Sequence, residues 1–264
     1  MANVLIGKIT GAALLAGALL LGGCSWFGSK DDNAKYVEQP VDVLYNRALD
    51  DLGAQEYKSA AKEFEEVDRQ HPYSVWATKA QIMAAFTYYQ SNKYDEAQIA
   101  LDRFIQLHPG HKDIPYAYYL KALCYYEQIS DVRRDQAMTQ KALDALAEVV
   151  KRFPETPYAR DARLKVELTI DHLAGKEMDI GRYYQKQEQY IGAINRYRVV
   201  IERYQTTTHV PEALHRLVEC YLALGVKSEA KEAAAVLGHN FPGSDWYADS
   251  YFLMTGEDYR FDEK

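Results

Sequence analysis

The chain has 264 residues, 48% of them hydrophobic and 26% charged, a balance that excludes a disordered protein. Its net charge of −7 at pH 7 denies it the concentrated positive field that a nucleic-acid partner needs. Only one stretch is apolar enough to enter a bilayer, which excludes a protein that crosses a membrane many times.

That stretch comes first. Lys8 gives a minimal positive start, residues 9–21 form an uncharged apolar run, and Leu21-Gly22-Gly23-Cys24 closes it. A secretory leader ends in small residues, and here the small pair runs straight into a cysteine. The pattern resembles the lipobox of bacterial lipoproteins. The resemblance implies that residues 1–23 are a signal peptide, that Cys24 takes a diacylglycerol on its sulfur, and that its new amino group is acylated. Ser25 stands where an Asp would imply retention at the inner membrane, so the resemblance implies the periplasmic side of the outer membrane. Acyl chains at one residue anchor stably, and no cofactor besides them is expected. Residues 24–40 are short and polar, with Gly, Ser and Asp, and read as a tether.

Residues 41–244 are helical in pattern. Pro72, Pro109, Pro154 and Pro242 each follow an amphipathic stretch and mark a period. Within the period small residues recur in pairs: Ala48 and Ala60, Ala85 and Ala97, Ala122 and Ala142, Gly181 and Ala193. Large ones follow them, as in Phe64 and Val67, Leu101 and Phe104, Leu146 and Val149, Tyr197 and Val200. Small residues let a first helix approach a second, large ones fill the space between, and proline stops the second helix. This spacing resembles the tetratricopeptide repeat and predicts an all-α solenoid of about five helix-turn-helix repeats, each with a helix A and a helix B. Gln205 stands at the proline position of the fourth repeat.

Two units are longer than the 37 residues from Pro72 to Pro109. The third spans 45, its surplus falling in the charged stretch 129–138, which predicts a loop. The fourth spans 51, a surplus of 14. Fourteen residues make about four helical turns, so they fit in phase within one long helix from near Tyr158 to near Lys186, with Gly175 the place for a bend. In the tail, residues 245–264, Trp246, Tyr247 and Phe252 are expected to cap the solenoid.

Catalytic and metal chemistry find no foothold. Cys124 and Cys220 occupy equivalent positions two repeats apart, which places them about 20 Å from one another. A disulfide needs Cα atoms within about 7 Å, so both are expected to be buried free thiols. His108 and His111 have the spacing of a metal pair, but no third ligand is near and His108 precedes a proline. No glycine-rich phosphate loop, nucleophile elbow or metalloprotease motif occurs. The chain reads as a binding scaffold and not an enzyme.

The run Asp102-Arg103-Phe104-Ile105-Gln106-Leu107-His108-Pro109, the run Tyr183-Tyr184 to Ala193-Ile194-Asn195-Arg196, and the charged insert together resemble the BamD family of outer-membrane β-barrel assembly lipoproteins. The resemblance covers the chain from the lipobox through five repeats. It implies a periplasmic scaffold that docks on the periplasmic domains of the BamA-type barrel insertase, beside accessory Bam lipoproteins, and assists delivery of unfolded outer-membrane proteins. It also implies that Arg196, of the Asn-Arg pair in the fourth repeat, contacts that insertase. The other reading is a repeat lipoprotein that adapts cell-wall hydrolases or pilus and secretin components.

In the repeat family a groove is lined by helix A positions 5, 9 and 12. For the first three repeats these are Tyr45, Leu49, Leu52, then Ile82, Phe86, Tyr89, then Tyr119, Leu123, Tyr126, all apolar or aromatic. For the last two they are Met178, Arg182, Gln185 and His215, Glu219, Leu222, mostly polar. The expectation is an extended client peptide with apolar anchors on the first three repeats, and a folded partner held by charge on the last two.

Overall fold

The computed structural model describes residues 38–257, so Cys24 and the tether up to residue 37 lie outside the described residues. From Val41 to Thr255 the chain is a succession of helices joined by short turns. The helices are α1 (Val41–Gly53), α2 (Tyr57–Gln70), α3 (Val75–Gln90), α4 (Tyr94–Leu107), α5 (Ile114–Tyr126), α6 (Ala137–Arg152), α7 (Pro157–Lys186), α8 (Tyr190–Arg203), α9 (Val210–Ala223), α10 (Lys227–Asn240) and α11 (Asp245–Thr255). Among the described residues there is no strand, and no helix is long and apolar enough to cross a membrane. Each helix packs on the next in chain order, pairing α1 with α2 through to α9 with α10. α11 packs on α9 and α10 as a sixth helix A.

Local chemistry sets the boundaries. The residue closing each B helix (His71, His108, Phe153, Tyr204 and Phe241) leaves the helical region with φ between −123° and −135°. A following proline bars its predecessor from helical angles, and this accounts for four of the five. Tyr204 precedes Gln205 and takes the same turn, so packing alone suffices there. The side chains of Ser74, Thr156 and Ser244 then accept from the backbone N–H three residues on, capping α3, α7 and α11. Pro115, Pro157 and Pro211 start α5, α7 and α9, where a missing N–H costs nothing.

The A-to-B turns share one geometry in four repeats. Gln55, Asn92, Glu188 and Gly225 each sit at positive φ, between 58° and 77°. The following amide bonds back to the carbonyl five residues earlier, as Glu56 does to Asp51 and Gln189 to Tyr184. The third repeat lacks this turn and carries the insert instead. Its loop ends at Gln136, α6 starting inside the expected stretch. It leans on α7: the Ser130 carbonyl lies 2.8 Å from His172 Nε2, and Arg133 pairs with Asp179.

The interior follows the repeat. Ala48, Ala60, Ala85, Ala97, Ala122, Ala142 and Ala193 are all fully buried, with Phe64, Phe104, Leu146 and Tyr197 filling the space that they leave. At Gly181 the demand is absolute, because a Cβ there would stand 2.4 Å from the Tyr197 ring. α7 runs 30 residues without interruption through Gly175. A Cβ at Gly175 would come within 3.3 Å of His209 and 3.6 Å of Val132, so this glycine admits the start of α9 and the insert against the long helix. Of the three tail aromatics, Trp246 and Tyr247 pack on the preceding repeat. Phe252 is 54% exposed and does not close the end, because it falls on the side of α11 turned away from α9 and α10.

Candidate docking surfaces

The A helices of the first three repeats pack against their A-helix neighbours: α1 on α3, α3 on α5, α5 on α7. This closeness decides the fate of the nine expected groove residues. Tyr45 is buried, its ring 4.8 Å from Trp76 and 5.5 Å from Phe64, and Ile82 is buried in the next cluster. Phe86, Tyr89 and Leu123 are half-buried against the Leu101–Phe104–Leu120 cluster, and Tyr119 and Tyr126 against the Leu146–Val149 cluster. Leu52 is half-buried, and Leu49, at 39%, is the one of the nine more than a third exposed. The aromatic strip is therefore largely packed between neighbouring A helices.

The hydroxyls of Tyr89 and Tyr119 end on carboxylates. Tyr89 donates to Glu127 at 3.2 Å and Tyr119 donates to Asp161. Burial and the facing carboxylate both push the Tyr89 and Tyr119 phenols well above their ordinary range, so each remains a donor. Burial opposes the charge on Asp161, but hydrogen bonds from Lys165 (2.7 Å) and Tyr119 outweigh it and hold that carboxyl below its usual value. Lys165 also lies 5.6 Å over the Tyr126 ring.

The last two repeats differ. α7 and α9 make little backbone contact, and long polar side chains span the gap. Arg182 Nη1 reaches both oxygens of Glu212 at 3.0 and 3.1 Å. Gln185 donates to Glu219 at 2.9 Å and accepts from the Tyr197 hydroxyl at 2.8 Å. Arg216 donates to Glu219 at 2.8 Å while its guanidinium stacks 5.5 Å over Trp246 of α11. His215 is interior, 2.8 Å from Ser250 Oγ and 3.5 Å from Glu219. Burial opposes the Glu219 charge, yet the hydrogen bonds from His215, Gln185 and Arg216 bring its pKa down to about 2. Met178 is interior too and Leu222 half-buried. The expected polar lining is thus largely engaged with itself.

Glu212 and Arg216 were not among the groove positions read from sequence. Arg216 lies four residues after Glu212 and three before Glu219 on α9, and that spacing was the available signal. Arg196 lies apart from this seam, on the side of α8 facing α7. Its Nη1 is 3.1 Å from Glu177, and the Arg196 side chain is 41% exposed. It borders an open cleft of about 300 Å³ with Tyr184, Gly192, Asn195 and Val199.

The remaining candidates are structural. Cys124 and Cys220 are buried free thiols in separate clusters, and burial pushes each thiol up to about 12. His108 Nε2 faces Gln81 at 2.9 Å, and both His108 and His111 rest on the Phe104 ring. Among the described residues no three His, Cys, Asp or Glu side chains gather as a metal would require.

The profile of the YfiO outer membrane lipoprotein family matches residues 37–237. Outer membrane protein assembly factor BamD of Caulobacter vibrioides is 51% identical over 94% of this chain and 80% of its own length. The protein of that name from Rickettsia prowazekii is 47% identical, over 92% of this chain and 95% of its own. That from Neisseria meningitidis is 34% identical, over 88% and 91%. Among solved structures, the TPR2AB-domain:pHSP90 complex of yeast Sti1 is similar at TM-score 0.43 and 12% identity, over 81% of this chain and 83% of that one. A thermophilic TPR protein of Thermus thermophilus is similar at TM-score 0.37 and 18% identity, over 81% and 100%.

Proposed function

The chain belongs to the BamD family of outer membrane protein assembly factors, and on that premise we propose that it is a non-catalytic scaffold with two separate protein-binding surfaces. The first is the A-helix face of the first three repeats, where the half-buried Phe86, Tyr89, Tyr119, Leu123 and Tyr126 offer apolar surface to an extended, unfolded barrel segment. The second surrounds Arg196 and docks the periplasmic domains of a BamA-type insertase, with accessory lipoproteins alongside. Lipid on Cys24 holds the scaffold to the periplasmic face of the outer membrane.

The observation that carries this reading is the change of chemistry along the repeats. Rings line the A-helix face up to α5, and ion pairs take over from α7. Arg196 stands outside the ion-pair seam and is held by a single part-buried pair, to Glu177. Its guanidinium is open enough on the cleft side to take a partner carboxylate beside Glu177. The test compares two variants of the full lipoprotein. Arg196→Glu is expected to cut insertase copurification at least tenfold with the helical melt unchanged. Phe86→Ala with Tyr119→Ala is expected to cut crosslinking to a barrel C-terminal peptide tenfold and leave copurification intact, with the melt read in parallel because both rings are half-buried. Equal loss of both activities in either variant would refute two surfaces. Cys24→Ala behind a cleavable signal should release the protein into the periplasm; retention after carbonate washing would refute the lipid anchor.

A further inference from the structure

The side of the solenoid formed by B helices carries a second kind of cleft. Between α8 and α10 an open cleft of about 220 Å³ has a floor of Leu214, Leu217 and Tyr221 from α9, with Ile201 and Val236 as its walls. Val236 is 45% exposed at its edge. The rim is acidic. Glu202, Glu229 and Glu232 border it against one cation, Arg198, which is already bonded to Glu202 at 2.9 Å. Glu229 and Glu232 have no cationic partner among the described residues. The rim therefore holds two uncompensated negative charges over an apolar floor. From Glu229 to Val236 is seven residues, about 10 Å or two helical turns.

We propose that this cleft docks a short amphipathic helix of a partner protein, two turns long, with apolar anchors at i and i+4 flanked by Lys or Arg. Two helices with a third as floor make the groove that a helix fills by its apolar stripe. The charge decides the flanks: basic residues beside the anchors meet Glu229 and Glu232, and acidic ones meet like charge. A cleft between α4 and α6 serves as internal comparison. Its walls include Ile105, Ile114, Tyr118 and Phe153, and the charged group bordering it, Arg152, is already paired with Glu148 at 3.3 Å and lies over the Tyr118 ring, so that cleft carries no acidic rim. The α8–α10 cleft uses neither Arg196 nor the A-helix face, so the proposal stands or falls independently of the two surfaces above.

The experiment uses the full chain with three synthetic 14-residue helical peptides, read by fluorescence anisotropy at 0.15 M salt, where unspecific attraction is screened. One peptide carries Leu at two i, i+4 positions flanked by Lys, the second has Glu for each Lys, and the third has Ser for each Leu. The Lys and Leu peptide should bind at least tenfold more tightly than either of the others. Glu229→Lys with Glu232→Lys should weaken it at least tenfold, and Glu232→Gln alone should weaken it severalfold with an unchanged melt. A photocrosslinker at Val236 should capture the peptide, and one at Leu49 should not. No binding, equal binding of the Glu peptide, or binding that survives the charge reversals would overturn the proposal.

Discussion

Tyr45 and Arg182 each join one A helix to the next, by opposite means. Tyr45 lies between α1 and α3 with its ring against Trp76, a contact that works only where the helices stand close. Arg182 spans the wider step from α7 to α9 and ends on Glu212, with much of its side chain in water. A solenoid is held by nearest-neighbour interfaces, so each joint sets its own local stability. The first is indifferent to salt and pH. The second rests on charges, weakens as they are screened or protonated, and keeps a looser step beside the surface around Arg196.

Four measurements break or sharpen this contrast, each by hydrogen exchange resolved helix by helix. Tyr45→Ala should cost about 3 kcal/mol, since it empties a buried aromatic site. The loss should be confined to α1–α3 and be the same at low and high salt; equal loss of protection in α9 would mean that the joints are not independent. Glu212→Ala should cost about 1–2 kcal/mol, because it strips Arg182 and Arg216 of a shared carboxylate in a partly exposed site. The difference from the parent should shrink in 0.5 M salt.

Glu219 sets the pH dependence of the second joint. In the folded chain it keeps its charge down to about pH 2, whereas an unperturbed glutamate takes up its proton near 4.5. Its contribution is therefore complete above about pH 4.5 and is lost as the pH falls toward 2. Solvent access to the seam limits that contribution to about 1 kcal/mol. α9 should lose protection across this window and α3 should not, and Glu219→Gln should flatten the α9 profile. The smallest effect is expected at Glu188, a side-chain-bearing residue in the left-handed region. Glu188→Gly should raise the stability of the α7–α8 pair by about 0.5–1 kcal/mol, and a decrease would show that this turn is not strained.

The helices themselves were legible because their information is local. Pro72, Pro109, Pro154 and Pro242 end their segments through the geometry of one peptide unit, and the 14-residue surplus of the fourth repeat is in phase with α7 for the same reason. Gly181 opposite Tyr197 was equally readable, since a small and a large residue at fixed spacing imply each other across a helix pair. What the sequence left open is everything that depends on the distance between A helices. Tyr45, Ile82 and Leu49 all read as groove positions on their A helices, yet two are buried and one is exposed, because exposure is fixed by how near the adjacent A helix comes and what stands on it. Arg182, Gln185 and Glu219 read as a polar lining, but whether such groups face a partner or one another depends on bringing residues some 30 positions apart within 3 Å. Phe252 looked like a cap and is exposed for the same reason: about two residues, half a helical turn, decide which side of α11 it falls on, and only the packing of α11 on α9 and α10 decides which side is inside.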